Sequence, residues 1–222
     1  MHVLFIGNSY TYFNDMDCLF QQLARDNGKQ VSAWRVTKGG RKLYAYKDAA
    51  DTITQQLESA LRQRRYDACF IQEQSLLPAR DYEKFLSGLI HVVEMVGDRA
   101  DKLYLYATWG RKQGSKDLEE NGWTPRSMTA LLADAYTRAA RQIGATVSPV
   151  GENFLKVISG HPEIDLHTAD LSHPSYAGSC LAALTHYHTL FGEFPENTGA
   201  LALDANVMEI FRAAVCGHSK MV

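Results

Sequence analysis

The sequence predicts an α/β protein built on a parallel sheet, and three observations predict it. Short apolar runs alternate with amphipathic segments, which is how successive β-α units read in a sequence. The runs occupy residues 3–6, 31–36, 68–71, 103–107 and 146–150. No repeat, linker or low-complexity tract interrupts them, so residues 1–222 are expected to form one domain.

The first run leads into Met16, Leu19, Phe20, Leu23 and Ala24, whose spacing of three and four places them on one face of a helix. Asp15 is positioned to cap that helix and Gly28 to end it. The second run is followed by Gly39-Gly40 and a helix carrying Ile53, Leu57, Ala60 and Leu61. After the third run, Phe85, Leu86, Leu89, Ile90 and Val93 mark another helix. Residues 109–123, rich in Gly, Lys, Glu and Asn and without a clear period, read as a long loop behind the fourth run. A helix over 127–143 should stop at Gly144, and the fifth run follows. Beyond it the pattern gives a short helix around 154–158, an irregular polar stretch to Pro174, and helices near 176–191 and 204–215.

Composition restricts the function. With 45% hydrophobic and 22% charged residues among 222, the chain can bury a sizeable core without staples. Lys and Arg total 23 against 25 Asp and Glu, a net charge of −2, so no basic field exists to hold nucleic acid or an anionic membrane. Cys18, Cys69, Cys180 and Cys216 lack paired C-x-x-C spacing, which argues against zinc and a disulfide framework; mostly buried, reduced thiols are expected. The sequence asks for neither metal nor cofactor. Apolar stretches are too short to span a bilayer. The first run begins at once, with no charged n-region or apolar h-region before it, so cytoplasmic residence is the expectation.

Parallel sheets bind ligands outside the carboxyl ends of their strands, so the residues after each run carry the chemistry. These are Gly7-Asn8-Ser9, Gly39-Gly40-Arg41 and Gln72-Glu73-Gln74-Ser75. Downstream, Asp170 and His173 stand three apart in a loop stiffened by Pro174. A serine is a nucleophile only when a base takes its proton, and an imidazole is a poised base when its other nitrogen is held by a carboxylate. Ser9, His173 and Asp170 can fill those roles.

These residues resemble the blocks of the SGNH hydrolases, a branch of the GDSL esterase and lipase superfamily. Ile6-Gly7-Asn8-Ser9-Tyr10-Thr11 is similar to the nucleophile block, Gly39-Gly40 to the glycine block, and Asp170 to His173 to the D-x-x-H block. The resemblance implies a three-layer αβα sandwich with a five-stranded parallel sheet of flavodoxin-like type. It also implies Ser9 as nucleophile, and an oxyanion hole made by Ser9 N–H, Gly40 N–H and the Gln74 amide. The family's third block departs here: its usual asparagine is replaced by Gln74, which keeps the amide but moves it by about one C–C bond, roughly 1.5 Å. Small acyl esters, acetyl esters of carbohydrates among them, are the substrate class the resemblance suggests. Thioesterase or acyltransferase chemistry on the same triad, and a non-catalytic flavodoxin-like binding module, are the alternatives.

Other polar residues have milder readings. Glu73 is expected at the surface or capping the next helix, with a second acid beside the nucleophile as the alternative. His161 and His167 are expected as solvated loop residues, with a place bordering the site as the alternative. His186 and His188, two apart on a helix, face different ways and do not share a metal. Trp109 and Arg111, after the fourth run, are placed either to contact substrate or, as the plainer reading, to pack at the sheet edge and to stand as a surface charge.

Overall fold

The computed structural model describes residues 1–217. In chain order the elements are β1 (His2–Gly7), α1 (Ser9–Tyr12), α2 (Met16–Asp26), β2 (Ser32–Thr37), α3 (Thr52–Gln63), β3 (Ala68–Ile71), α4 (Leu77–Arg80), α5 (Tyr82–Val96), β4 (Leu103–Tyr106), α6 (Lys116–Asn121), α7 (Pro125–Ile143), β5 (Thr146–Ser148), α8 (Val150–Gly160), α9 (Tyr176–Phe191) and α10 (Ala205–Cys216). The five strands form one parallel sheet in the order β2-β1-β3-β4-β5. From β1 the chain moves outward to β2, returns past β1 to β3, and then builds outward the other way. That reversal opens a crevice between the carboxyl ends of β1 and β3, where such sheets bind ligands.

Strand alternation assigns the two cores. From β1, Val3 and Phe5 face a layer holding Phe20 of α2, Phe154 of α8, Leu181 of α9 and Phe211 of α10. Leu4 and Ile6 face the opposite layer with Leu57 of α3, Phe85 and Leu89 of α5, and Tyr136 of α7. Each such side chain removed from water contributes about 1.5–3 kcal/mol before entropy is subtracted. The result is the expected three-layer sandwich.

Several boundaries depart from the pattern for local reasons. The run at 146–150 gives a strand of only three residues, because Pro149 has no N–H for the ladder and stands as N-cap of α8. The expected loop 109–123 contains α6, one and a half turns and too short to show a period, closed by Gly122 in the left-handed conformation. α7 starts ahead of residue 127, where Thr124 and Ser127 bond each other's backbone in a capping box behind Pro125. Asp15 stands at the N-cap of α2 but with left-handed backbone and no cap bond; its carboxylate pairs with Arg35 at 2.8 Å instead. Of the cysteines, Cys69 and Cys180 are buried, whereas Cys18 and Cys216 are exposed, so the expected burial holds for two of the four. No described helix is long and apolar enough to cross a membrane.

Candidate active site

Ser9 follows β1 as the first residue of α1. The strand-to-helix turn is tight because Gly7 lets two side chains approach it: a Cβ there would lie 2.5 Å from Thr11 Oγ1 and 2.6 Å from Gln72 Oε1. Gln72 Oε1 accepts both Asn8 N–H and the Thr11 hydroxyl at 3.0 Å. Asn8 caps α1 through Tyr10 N–H and sends its amide to Arg41 O at 3.0 Å. The ends of β1, β2 and β3 are therefore cross-linked by side chains directly beneath Ser9.

The loop before α9 brings the other two residues to this point. The Ser9 hydroxyl donates to His173 Nε2 at 2.8 Å, and His173 Nδ1–H donates to Asp170 Oδ2 at 2.5 Å. Asp170 Oδ1 also accepts Ser172 N–H, His173 N–H and the Thr168 hydroxyl. Partial burial opposes its ionisation, but the bonds from the His173 ring, the two N–H groups and Thr168 outweigh it and hold the carboxyl well below the usual carboxylate range. An ionised Asp170 fixes the imidazole tautomer with Nε2 free to accept, as a general base must be. Leu171, at φ 64°, makes the backbone turn that lets the two side chains meet.

Neighbours missed in the sequence hold this arrangement. Phe13 stacks on the His173 ring with centroids 4.3 Å apart, and Tyr10 meets it edge-on at 5.5 Å. Asn14, left-handed at φ 53°, donates to Pro174 O, Ser175 O and the Ser179 hydroxyl, tying the segment after Ser9 to the segment after His173. Tyr10 and Phe13 flank the nucleophile in sequence and could have been singled out on that ground. The clamp by Asn14 has no sequence signature, since it depends on a left-handed backbone that only the fold reveals.

Gly40 lies in the turn closed by Arg41 N–H to Lys38 O, with φ 65° as the third residue of such a turn requires. Among the described residues, neither Ser9 N–H nor Gly40 N–H donates to another protein group. Gln74 Oε1 accepts Leu76 N–H and Leu77 N–H at 3.1 Å, which fixes the amide plane and leaves Nε2 as its available end.

The structure decides how four of the residues singled out in the sequence are packed, and for Arg111, Glu73 and His167 it corrects the expectation of a surface or solvated position. Trp109 is only 1% exposed, sandwiched between Tyr10 at 4.4 Å and Phe154 at 4.1 Å; it donates its indole N–H to Ser172 O and braces the triad loop from behind. Arg111 is buried too, donating to the Tyr10 hydroxyl and pairing with Asp117 at 2.8 Å. Glu73 is 0% exposed rather than at the surface, because its N–H and carboxylate are all taken up internally. His167 is buried and hydrogen-bonds Gly110 O at 3.1 Å, whereas His161 stays partly exposed beside Glu163. His186 shares a hydrogen bond with Ser148 in an aromatic cluster of Phe5, Phe70 and Tyr106.

One group of ligand-type side chains, Asp15, Asp17 and Cys18, lies together among the described residues, and the Arg35 guanidinium already bridges its two carboxylates. A cavity of about 380 Å³ behind the triad loop, walled by Leu155, Ile158, Pro162 and Ile164, does not include Ser9.

No family model and no curated protein sequence matches this chain. Solved structures do. The chain is similar to a candidate SGNH hydrolase from Slackia heliotrinireducens, with 27% identity and a TM-score of 0.75 over 86% of this chain and 98% of that one. It is also similar to a DUF4886 family protein from Bacteroides uniformis, with 18% identity and a TM-score of 0.79 over 98% of this chain and 93% of that one. An acetyl xylan esterase matches with 16% identity and a TM-score of 0.64 over 86% of this chain and all of its own, 100%.

Proposed function

Because this chain belongs to the SGNH hydrolase superfamily, we propose that it is a serine esterase that hydrolyses small acyl esters through an acyl-enzyme on Ser9. One observation carries the reading: a continuous relay from Ser9 Oγ through His173 to Asp170, built from residues 164 positions apart. A non-catalytic binding module has no use for such a relay.

The chemistry follows from the geometry. Ser9 Oγ attacks the acyl carbonyl while its proton passes to His173 Nε2, and Asp170 stabilises the imidazolium. The carbonyl oxygen becomes an oxyanion, with Ser9 N–H, Gly40 N–H and Gln74 Nε2 as its donors. Collapse breaks the C–O bond to the alcohol, which leaves with the proton from His173. Water then attacks the acyl-enzyme, gives its proton to His173, and frees the acid and Ser9. Acetyl esters of carbohydrates are the first substrates to test. The esterase neighbours and the near-neutral charge of the chain support an uncharged ester.

Turnover of p-nitrophenyl esters of rising chain length is the test, with Ser9→Ala as control. Short chains are expected to be preferred, and Ser9→Ala to lower kcat by at least about a thousandfold without changing the melting temperature. A fluorophosphonate that leaves Ser9 of the folded wild type unlabelled would refute the assignment.

A further inference from the structure

The buried carboxylate of Glu73 lies between two of the segments that would carry the oxyanion donors. Leu43 N–H donates to both its oxygens at 3.1 Å, and Gln74 N–H donates to Oε1 at 2.5 Å. Leu43 stands three residues beyond Gly40, and Gln74 is the amide donor itself. The backbone N–H of Glu73 is in turn anchored on the Tyr136 hydroxyl of α7 at 3.2 Å. Each of these three bonds to the carboxylate is donated by a backbone N–H, a pattern that matches an ionised group, which accepts and does not donate.

We propose that Glu73 is a positioning residue of the oxyanion hole, its carboxylate fixing the separation of the Gly40 and Gln74 segments and doing so completely only when ionised. The inference rests on the esterase reading above. A donor must sit within about 2.7–3.1 Å of the developing charge, so a loop displaced by a few tenths of an ångström lowers the rate while ground-state binding is little affected.

The groups facing Glu73 are few. Lys42 favours its charge from the neighbouring loop, and the Tyr136 hydroxyl faces it from α7. Arg41 is turned away onto Asp51, Thr54 and Ala45 O. Burial is the largest influence and pushes the carboxyl up to about 8, against the pull of the Gln74 and Leu43 N–H groups and Lys42. The proton on Glu73 therefore leaves in a range where the hole can be switched by pH.

The experiment measures the rate of Ser9 labelling by a fluorophosphonate, and kcat and KM for p-nitrophenyl acetate, from pH 6 to 10 in wild type, Glu73→Gln and Glu73→Asp. Wild type is expected to show a rise in both rates centred near pH 8. Glu73→Gln should lose that rise and label about tenfold or more slowly at pH 9, with KM changed less than about threefold. Glu73→Asp keeps the charge but is one methylene short, so it should retain a pH-dependent rise at a lowered rate. Wild-type rate and pH profile in Glu73→Gln overturn the proposal. If that variant does not fold, a wild-type labelling rate that is flat between pH 7 and 9 overturns it equally. Absence of labelling in wild type at every pH overturns the esterase reading, and this inference with it.

Discussion

At the scale of single residues, the relay from Ser9 through His173 depends on one carboxylate that does several jobs. Asp170 orients the imidazole through Oδ2 and closes its own loop through Oδ1, which takes two backbone N–H groups and the Thr168 hydroxyl. Asp170→Asn keeps the shape but presents an amide to His173, so the ring would turn to the tautomer with Nε2 protonated and unable to accept from Ser9. We expect kcat for p-nitrophenyl acetate to fall about 10³–10⁴-fold with KM little changed, and fluorophosphonate labelling of Ser9 to slow in parallel. Asn14 presents the opposite case. Its side-chain amide bonds Pro174 O, Ser175 O and the Ser179 hydroxyl, and with its left-handed backbone these three hydrogen bonds make it the clamp between the Ser9 and His173 segments. Asn14→Ala loses both, and should lower stability by about 2–4 kcal/mol in urea unfolding. Asn14→Gly restores the backbone freedom and should recover part of that, leaving the loss due to the hydrogen bonds alone.

Among elements, the segment after β4 is where sequence reasoning and structure part most clearly. The strands were legible because each is a short apolar run, and a parallel sheet buried on both faces requires such runs. The Ser9–His173–Asp170 relay was legible through joint occurrence: each residue alone is ordinary in a turn or loop, but a serine after the first strand and an Asp-x-x-His near the C-terminus, in that order, point to one another. Trp109 and Arg111 were not, since an aromatic and a cation after a strand look alike in sequence whether they face substrate or core. What decides is the packing partner: Trp109 fills the space between Tyr10 and Phe154, and Arg111 is neutralised by Asp117 of α6. That helix was itself hidden, being too short for its period to register. The structure turns the segment into a brace in which Arg111 holds the Tyr10 hydroxyl, the hydroxyl shares a bond with Ser172, and Ser172 O receives the Trp109 indole N–H. Tyr10→Phe keeps the stacked ring and removes only the hydroxyl, leaving the buried guanidinium one acceptor short. A loss of about 1–3 kcal/mol in chemical unfolding is expected, together with a several-fold lower kcat as the His173 loop loosens. Unfolding and activity indistinguishable from wild type would mean that the brace is idle.

Over the whole molecule, two buried titratable groups in opposite layers of the sandwich give the protein a predictable response to pH. Burial pushes Glu73 up to about 8 from an ordinary 4.5, so the folded state holds a proton that the unfolded chain releases. Its contribution is full below 4.5 and lost as pH rises through 8. Burial among Phe5, Phe70 and Tyr106 lowers His186 to about 3 from 6.5. That contribution is full above 6.5 and lost as pH falls toward 3. Between about 4.5 and 6.5 the two slopes are equal and opposite and cancel. Above 6.5 only Glu73 acts, costing about 2 kcal/mol by pH 8 at roughly 1.4 kcal/mol per unit. Below 4.5 His186 acts together with Asp170, whose lowered carboxyl must also be protonated on the acid side. Urea unfolding across pH 3.5 to 9 should therefore give a plateau on the mildly acidic side of neutrality, flanked by two declines. Glu73→Gln should flatten the alkaline decline alone, and His186→Phe should reduce the acid decline alone. If Glu73→Gln leaves the slope between pH 6.5 and 8 intact, the carboxyl is already ionised at neutrality. The site would then be set for activity at no cost in stability, rather than gaining its oxyanion geometry as the fold weakens.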